Sequence, residues 1–265
     1  YRPLSFDKTF DQTFDKSSDI IPLQAMVNPA PKCKIDQRYC DASGYCYLAN
    51  SGQEQPQTTH ADRYASNRSY GIAAYSKGAV FLSQLGYIIG DSALMKGMKR
   101  YYYNWRFKHP TPQDFKREME KVSGLELDWY FEQFVETTNT IDYEVFNVEP
   151  TNNGTLVTLR RIGDMPMPID IVIIDKSDNK TSFSIPLRIM RGSKSNDSYL
   201  KDFKTLSDWP WVYQYYQFEA TLSYDEIKQI AIDPSSRLAD VNSENNVWSN
   251  NKSTQGNPII YKNTN

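Results

Sequence analysis

"SYGIAAYSKGAVF", Ser69 to Phe81, is the stretch on which the reading of this chain turns. Ile72, Tyr75, Ala79, Leu82 and Leu85 recur at three- and four-residue steps, which predicts a helix from about Gly71 to Gly90. Tyr70, Tyr75 and Lys77 stand where leucine or alanine would fill a plain core face. They are either packing residues or chemistry.

Downstream the helical period continues. Gly90 ends the first helix and Asp91 is placed to cap the next, "SALMKGMKRYYYNWRF". In "HPTPQDF", Thr111 is a good N-cap, Pro112 suits the first helical position, and Asp114 favours the positive end of the macrodipole. That third helix stops at Gly124. A fourth, "ELDWYFEQFVET", ends near Thr138. Four helices with short links predict one packed helical unit.

The period then switches to two. "YEVFNVE", "TLVTLRRI", "IDIVIID", "SFSIPLRI", "YQFEATLS" and "IKQIAID" are short and rich in β-branched and aromatic residues. Turn residues such as Asn152-Asn153-Gly154 separate them. This predicts an antiparallel β-sandwich over residues 141–240 and an α+β fold overall. After Asp240 the chain is Asn- and Ser-rich, and residues 241–265 read as a flexible tail.

Upstream, "FDKTFDQTFDKSSD" alternates aromatic and acidic residues without a sustained period, and "VNPAPKCKIDQRYCDASGYC" is turn chemistry. Residues 1–50 therefore read as an irregular segment. Its cysteines, Cys33, Cys40 and Cys46, allow one disulfide with a spare thiol, three free thiols, or a metal site without a C-x-x-C pair.

Composition narrows the function classes. Hydrophobic residues at 39% and charged residues at 23% suit a globular chain with a core. A net charge of -2 lacks the basic balance of a nucleic-acid binder, and no apolar run reaches the ~18 residues of a membrane span. The basic-aromatic run "KGMKRYYYNWRFKH" spreads its charges around a helix, so it reads as a solvated face. The acids Asp91, Asp114, Glu118, Glu120, Glu126 and Asp128 read as caps and surface pairs. The two histidines, His60 and His109, lie too far apart in sequence for a helical zinc pair, and a Cys46–His60 couple is a weak nucleophile motif. Sequons at Asn67, Asn153, Asn179, Asn196 and Asn251 are expected by chance in so Asn-rich a chain.

Taken together, Tyr75-x-Lys77-Gly78, His109-Pro-Thr-Pro112, Asp114-Phe115, Ser123-Gly124 and the Trp129 helix form an ordered set. From about Ser51 to Asn242 the sequence resembles the back half of the catalytic domain of aminopeptidase N-like zinc metallopeptidases, the gluzincins, and the β-domain that follows it. The strand segments "GDMPMPIDIVI", "IPLRIMRG" and "IAIDPSSRLADVN" look like a Bacteroidetes-type branch.

The resemblance implies a helical back half of a thermolysin-like peptidase domain over residues 51–140, then the β-sandwich. It implies that Tyr75 donates a hydrogen bond to the tetrahedral intermediate of peptide hydrolysis, with Tyr70 a neighbouring active-site tyrosine. Lys77 and Gly78 fall to the fold, Gly78 by allowing close helix packing.

The family's His-Glu-x-x-His helix and Gly-x-Met-Glu-Asn strand have no counterpart here. The expectation is therefore a C-terminal portion of an exported zinc aminopeptidase, inactive alone and holding no metal. Its partners would be the missing N-terminal half of the peptidase domain and a peptide substrate. A missing partner half would also leave an apolar patch around Ile72 to Leu85. The alternative is a non-catalytic helical plus β-sandwich interaction or scaffold module. A carbohydrate-binding sandwich rests only on Trp209, Trp211, Tyr213, Tyr215 and Tyr216.

Overall fold

The structure is a computed structural model that describes residues 37–194, 199–200 and 202–250. Its fold is α+β: a helical region, then strands. The helices are α1 (Gln37–Asn50), α2 (Asn67–Ile89), α3 (Asp91–Trp105), α4 (Pro112–Ser123) and the short α5 (Asp128–Phe131). No single described helix is long and apolar enough to cross a membrane, and α2 and α3 meet at a bend of 118°.

Helix α1 corrects the irregular reading of residues 1–50 for its last fourteen positions. Its sequence, QRYCDASGYCYLAN, is full of turn formers and has almost no amphipathic period, so pattern reading fails there. Tertiary packing makes the helix instead. Tyr45 and Leu48 are buried, and the Tyr45 ring lies 5.4 Å from that of Phe134. Gly44 passes close to α2: a Cβ there would sit 3.3 Å from the Ser76 hydroxyl. Of the cysteines, Cys46 is described as a free thiol whose Sγ donates to the Asp240 carbonyl at 3.6 Å. Cys33 lies outside the described residues.

Within the expected apolar patch from Ile72 to Leu85, Ala73, Val80 and Leu85 are buried and Ile72, Phe81 and Leu82 are half-buried; beyond it Tyr87, Ile88 and Ile89 are buried. The cover is aromatic. Phe81 stacks on Tyr130 at 5.1 Å, and Tyr130 stacks on Phe134 at 5.8 Å. The Tyr130 hydroxyl donates to the Phe81 carbonyl at 2.8 Å. Helix α3 crosses α4 at Gly97, where a Cβ would come 2.4 Å from the Met119 sulfur.

The strands form two sheets. One is β1 (Tyr143–Pro150), β2 (Thr155–Arg161) and β6 (Tyr215–Ala220) in the order β1-β2-β6. The other contains β3 (Ile169–Asp175), β4 (Lys180–Ile185), β5 (Lys204–Thr205), β7 (Ile227–Ile232) and β8 (Val247–Ser249), ordered β5-β4-β3-β7-β8. Pairing is antiparallel except for β5, whose two residues run parallel to β4. The inner faces meet where Phe183 packs on Phe218 at 5.4 Å.

Strand β3 reads as a continuous apolar run because both its faces are covered. Ile171 and Ile173 face the main core, while Val172 and Ile174 join Ala231 on the other side with Val247 against them. That second cluster corrects the tail. Residues 247–249 pair with β7, Ile230 opposite Trp248, and Trp248 packs on Tyr224 at 5.7 Å. One Val-Trp pair in an Asn-rich setting is enough to add a strand. The remainder of the expected tail, residues 251–265, lies outside the described residues.

Helices and strands share one core. The last turns of α2 are buried all round, as an all-apolar helix must be. The Asp170 amide donates to the Tyr87 hydroxyl at 2.8 Å, and the Ala239 amide to Gln84 Oε1 at 2.9 Å. Arg237 reaches from the β region to the Ser83 carbonyl at 2.9 Å and Asp91 Oδ1 at 2.8 Å.

Candidate active-site face

The middle of α2 is not α-helical. Between Asn67–Gly71 and Lys77–Ile89, residues Ile72–Ser76 form a π-helical turn, with the Lys77 amide bonded to the Ile72 carbonyl. Such single π turns recur at functional sites. In an α-helix residues five apart lie about 140° apart around the axis. An i→i+5 turn narrows that separation, so Tyr70 and Tyr75 lie closer around α2 than in a plain α-helix.

Both tyrosines are exposed, Tyr75 by 68% and Tyr70 by 42%. The Tyr70 ring rests edge-on against Tyr64 at 5.5 Å. Tyr75 has no hydrogen bond or ring contact among the described residues. Core packing therefore does not explain it.

The lysine is the buried member of the motif. Lys77 Nζ is 2.7 Å from Glu54 Oε1, with side-chain exposures of 1% and 4%. It donates also to the Thr137 carbonyl at 3.4 Å and sits 5.0 Å from the centre of the Phe134 ring. Burial pulls Lys77 below the ordinary lysine range and pushes Glu54 above the ordinary carboxylate range; the partner's charge opposes each shift. Burial, and next the Glu54 charge, also raises the Tyr45 phenol well above its usual value.

Gln57 completes the brace. Its Nε2 donates to the Ala73 carbonyl at 3.1 Å, inside the π turn, and its amide donates to the Val135 carbonyl at 2.9 Å. Val135 belongs to a second π-helical turn, Glu132–Glu136, which continues α5. Sequence reading missed Glu54 and Gln57. The only trace of them was "EQPQ", a short polar stretch with no period. Gly78 does not do what was expected of it: a Cβ there would meet only Gln57 Nε2 at 3.6 Å, an ordinary contact.

The other sequence candidates are dispersed. His60 is exposed and caps the short turn Ala61–Arg63, its Nδ1 accepting from the Asp62 amide at 3.3 Å. His109 is exposed ahead of α4. Asp114 accepts from the Thr111 amide at 2.8 Å and its hydroxyl at 2.7 Å, and these bonds hold its carboxyl below the usual range. Of the five aromatics of the carbohydrate reading, Trp209 and Tyr216 are core, whereas Trp211, Tyr213 and Tyr215 are exposed. They make no single ridge.

Zinc does not fit the described residues. The one group of three candidate ligands among them is Glu120, Glu126 and Asp128, all carboxylates, with Asp128 paired to Lys116 and Glu120 Oε1 accepting from the Leu127 amide. A zinc site needs imidazole or thiolate donors, and none stands there.

Comparison with known proteins bears on this face. Residues 39–134 match the peptidase family M1 domain. The matched stretch starts within α1 and contains the whole π turn, Glu54, Gln57, Tyr70 and Tyr75. It bears out the aminopeptidase resemblance of the helical region. Among solved structures, the chain is similar to aminopeptidase A of Legionella pneumophila in complex with aspartic acid, at 12% identity and a TM-score of 0.45. The similarity covers 74% of this chain and 21% of that one. The chain thus spans about a fifth of that aminopeptidase's length. No curated protein matches the sequence.

Proposed function

We propose that this chain is the C-terminal portion of an exported, zinc-dependent aminopeptidase that hydrolyses N-terminal peptide bonds. Alone it is inactive. Its contribution is Tyr75, a hydrogen-bond donor to the oxygen that gains negative charge as the peptide carbonyl becomes tetrahedral. Tyr70 stands beside it as a secondary contact. Metal, general base and amine-binding groups fall to a partner segment.

One observation carries this reading. Tyr75 projects from a braced π turn inside the M1-matched stretch, exposed and without a partner among the described residues. A phenol aimed at solvent from a rigid helix is a preorganised donor. The braces supply the rigidity: Glu54 on Lys77 and Gln57 on the Ala73 carbonyl.

The test is Tyr75→Phe in a protein that joins this chain to its metal-bearing half. The turnover number kcat falls by roughly 10²–10³ while KM barely moves, as for loss of one oxyanion donor. The isolated chain does not hydrolyse aminoacyl anilides. A kcat within about threefold of wild type overturns the role of Tyr75. Turnover by the isolated chain overturns the division of labour.

A further inference from the structure

A cleft of about 330 Å³ lies between the helical and β regions, away from the π turn in sequence, lined by Glu126, Arg188, Ile189, Arg191, Trp211 and Val212. Each wall is pinned from behind. The turn Arg188–Met190 is anchored by the buried Met190, whose carbonyl accepts from the Glu126 amide at 3.1 Å. The loop that carries Trp211 hangs on buried Trp209, which bonds the Pro186 carbonyl through its amide at 2.8 Å and the Tyr213 carbonyl through its indole at 2.8 Å. Arg188 and Trp211 are therefore presented on short, fixed arms.

Two features stand out there. Arg191 is the left-handed C-cap (φ 54°) that ends the turn Arg188–Met190, and its guanidinium has no partner among the described residues. Trp211 and Val212 are 54% and 69% exposed on the facing loop. Among the described residues the Arg188 side chain is held by an exposed pair with Asp208 at 3.3 Å, a contact weak enough to yield to a better anion. The remaining charge, Glu126, groups its carboxylate with Glu120 and Asp128, neither of which lines the cleft.

We propose that this cleft binds a small organic carboxylate with a flat apolar body. The guanidinium of Arg191, joined by Arg188, takes the carboxylate through paired N–H donors, and the apolar body lies against Trp211 and Val212. Arginine suits this because its planar fork matches a carboxylate. An exposed indole supplies a face at little conformational cost. Clefts at the junction of two structural units are common ligand sites.

The experiment is calorimetric titration of the chain with indole-3-acetate and with its neutral isostere indole-3-acetamide. The acid binds with a Kd of about 1 mM, the affinity its size permits. The amide binds at least about tenfold more weakly, the loss expected with a charge-assisted hydrogen bond. Arg191→Gln removes the difference between acid and amide, and Trp211→Ala weakens both ligands. Both residues are exposed, so a melting curve like that of wild type confirms that each variant is folded. Equal affinity for acid and amide, no saturable heat with the acid, or an unchanged preference in Arg191→Gln overturns the proposal.

Discussion

Replacing Glu54 with alanine isolates a buried ammonium, and the consequence follows from the surroundings of Lys77. Lys77 is 1% exposed, with Glu54 Oε1 at 2.7 Å, one carbonyl at 3.4 Å and aromatic rings for neighbours. The shifts of the pair state its energetics. Glu54 is raised and Lys77 lowered, each by burial first, so each is neutralised more easily in the fold than in water. Attraction within the pair offsets only part of the desolvation cost. The stability tied to Glu54 is present below its unfolded pKa and lost as pH rises through its raised value. That tied to Lys77 is present above its unfolded pKa and lost as pH falls through its lowered value.

Removing one charge is worse than keeping both. Breaking a buried pair costs about 3–5 kcal/mol. For a chain of this size that lowers the melting temperature by roughly 6–20 °C. Replacing both members with apolar side chains, Glu54→Leu with Lys77→Met, comes out near neutral or more stable by about 1–4 kcal/mol. Urea unfolding at pH 7 of wild type, the single variant and the double variant reads these differences directly. A single variant within about 1 kcal/mol of wild type would refute the reasoning, since that is how an exposed pair behaves.

Two glycines give opposite outcomes. Gly78→Ala is tolerated and gains up to about 1 kcal/mol from helix propensity, because its Cβ has room. Gly97→Ala costs about 1–3 kcal/mol, because the added carbon meets buried Met119; thermal melts of the two variants separate them. Asp240 is raised to about 6 by burial, so the stability it contributes is present below about pH 4 and is lost as pH rises through about 6. Unfolding measured across that interval shows a decline of about 2–3 kcal/mol from this group in wild type, and Asp240→Asn flattens it.

Much of the fold was legible because burial writes itself as periodicity. The apolar recurrence from Ile72 to Leu85, the Thr111–Asp114 cap and the alternating strands each produced the element they predicted. Helix α1 was illegible because, among its described side chains, Tyr45 and Leu48 alone insert deeply into the core and Gly44 serves close approach, so no stripe marks it. Strand β8 was hidden because two apolar residues leave no period. In the candidate site, Tyr70 and Tyr75 could be named, yet their environment could not. The aromatic Tyr75 is on the outside and the charged Lys77 is in the core, the reverse of what residue type suggests. Glu54 and Gln57 escaped notice because a brace depends on where a loop crosses a helix, and the sequence of neither element records it.

The wide turn at Ile72–Ser76 also makes α2 one residue longer than the distance it spans requires. An α-helix advances about 100° per residue, so tightening that turn to plain α-helical bonding with every residue kept would turn Asn67–Gly71 by about that angle against Lys77–Ile89. Tyr70 would swing away from Tyr75, yet the buried rows beyond Lys77 would keep their neighbours. Gln57 ties this wide turn to the second one at Glu132–Glu136. A change of length in either turn would therefore be felt at the other, through Gln57 and through the Tyr130–Phe81 contact beside it.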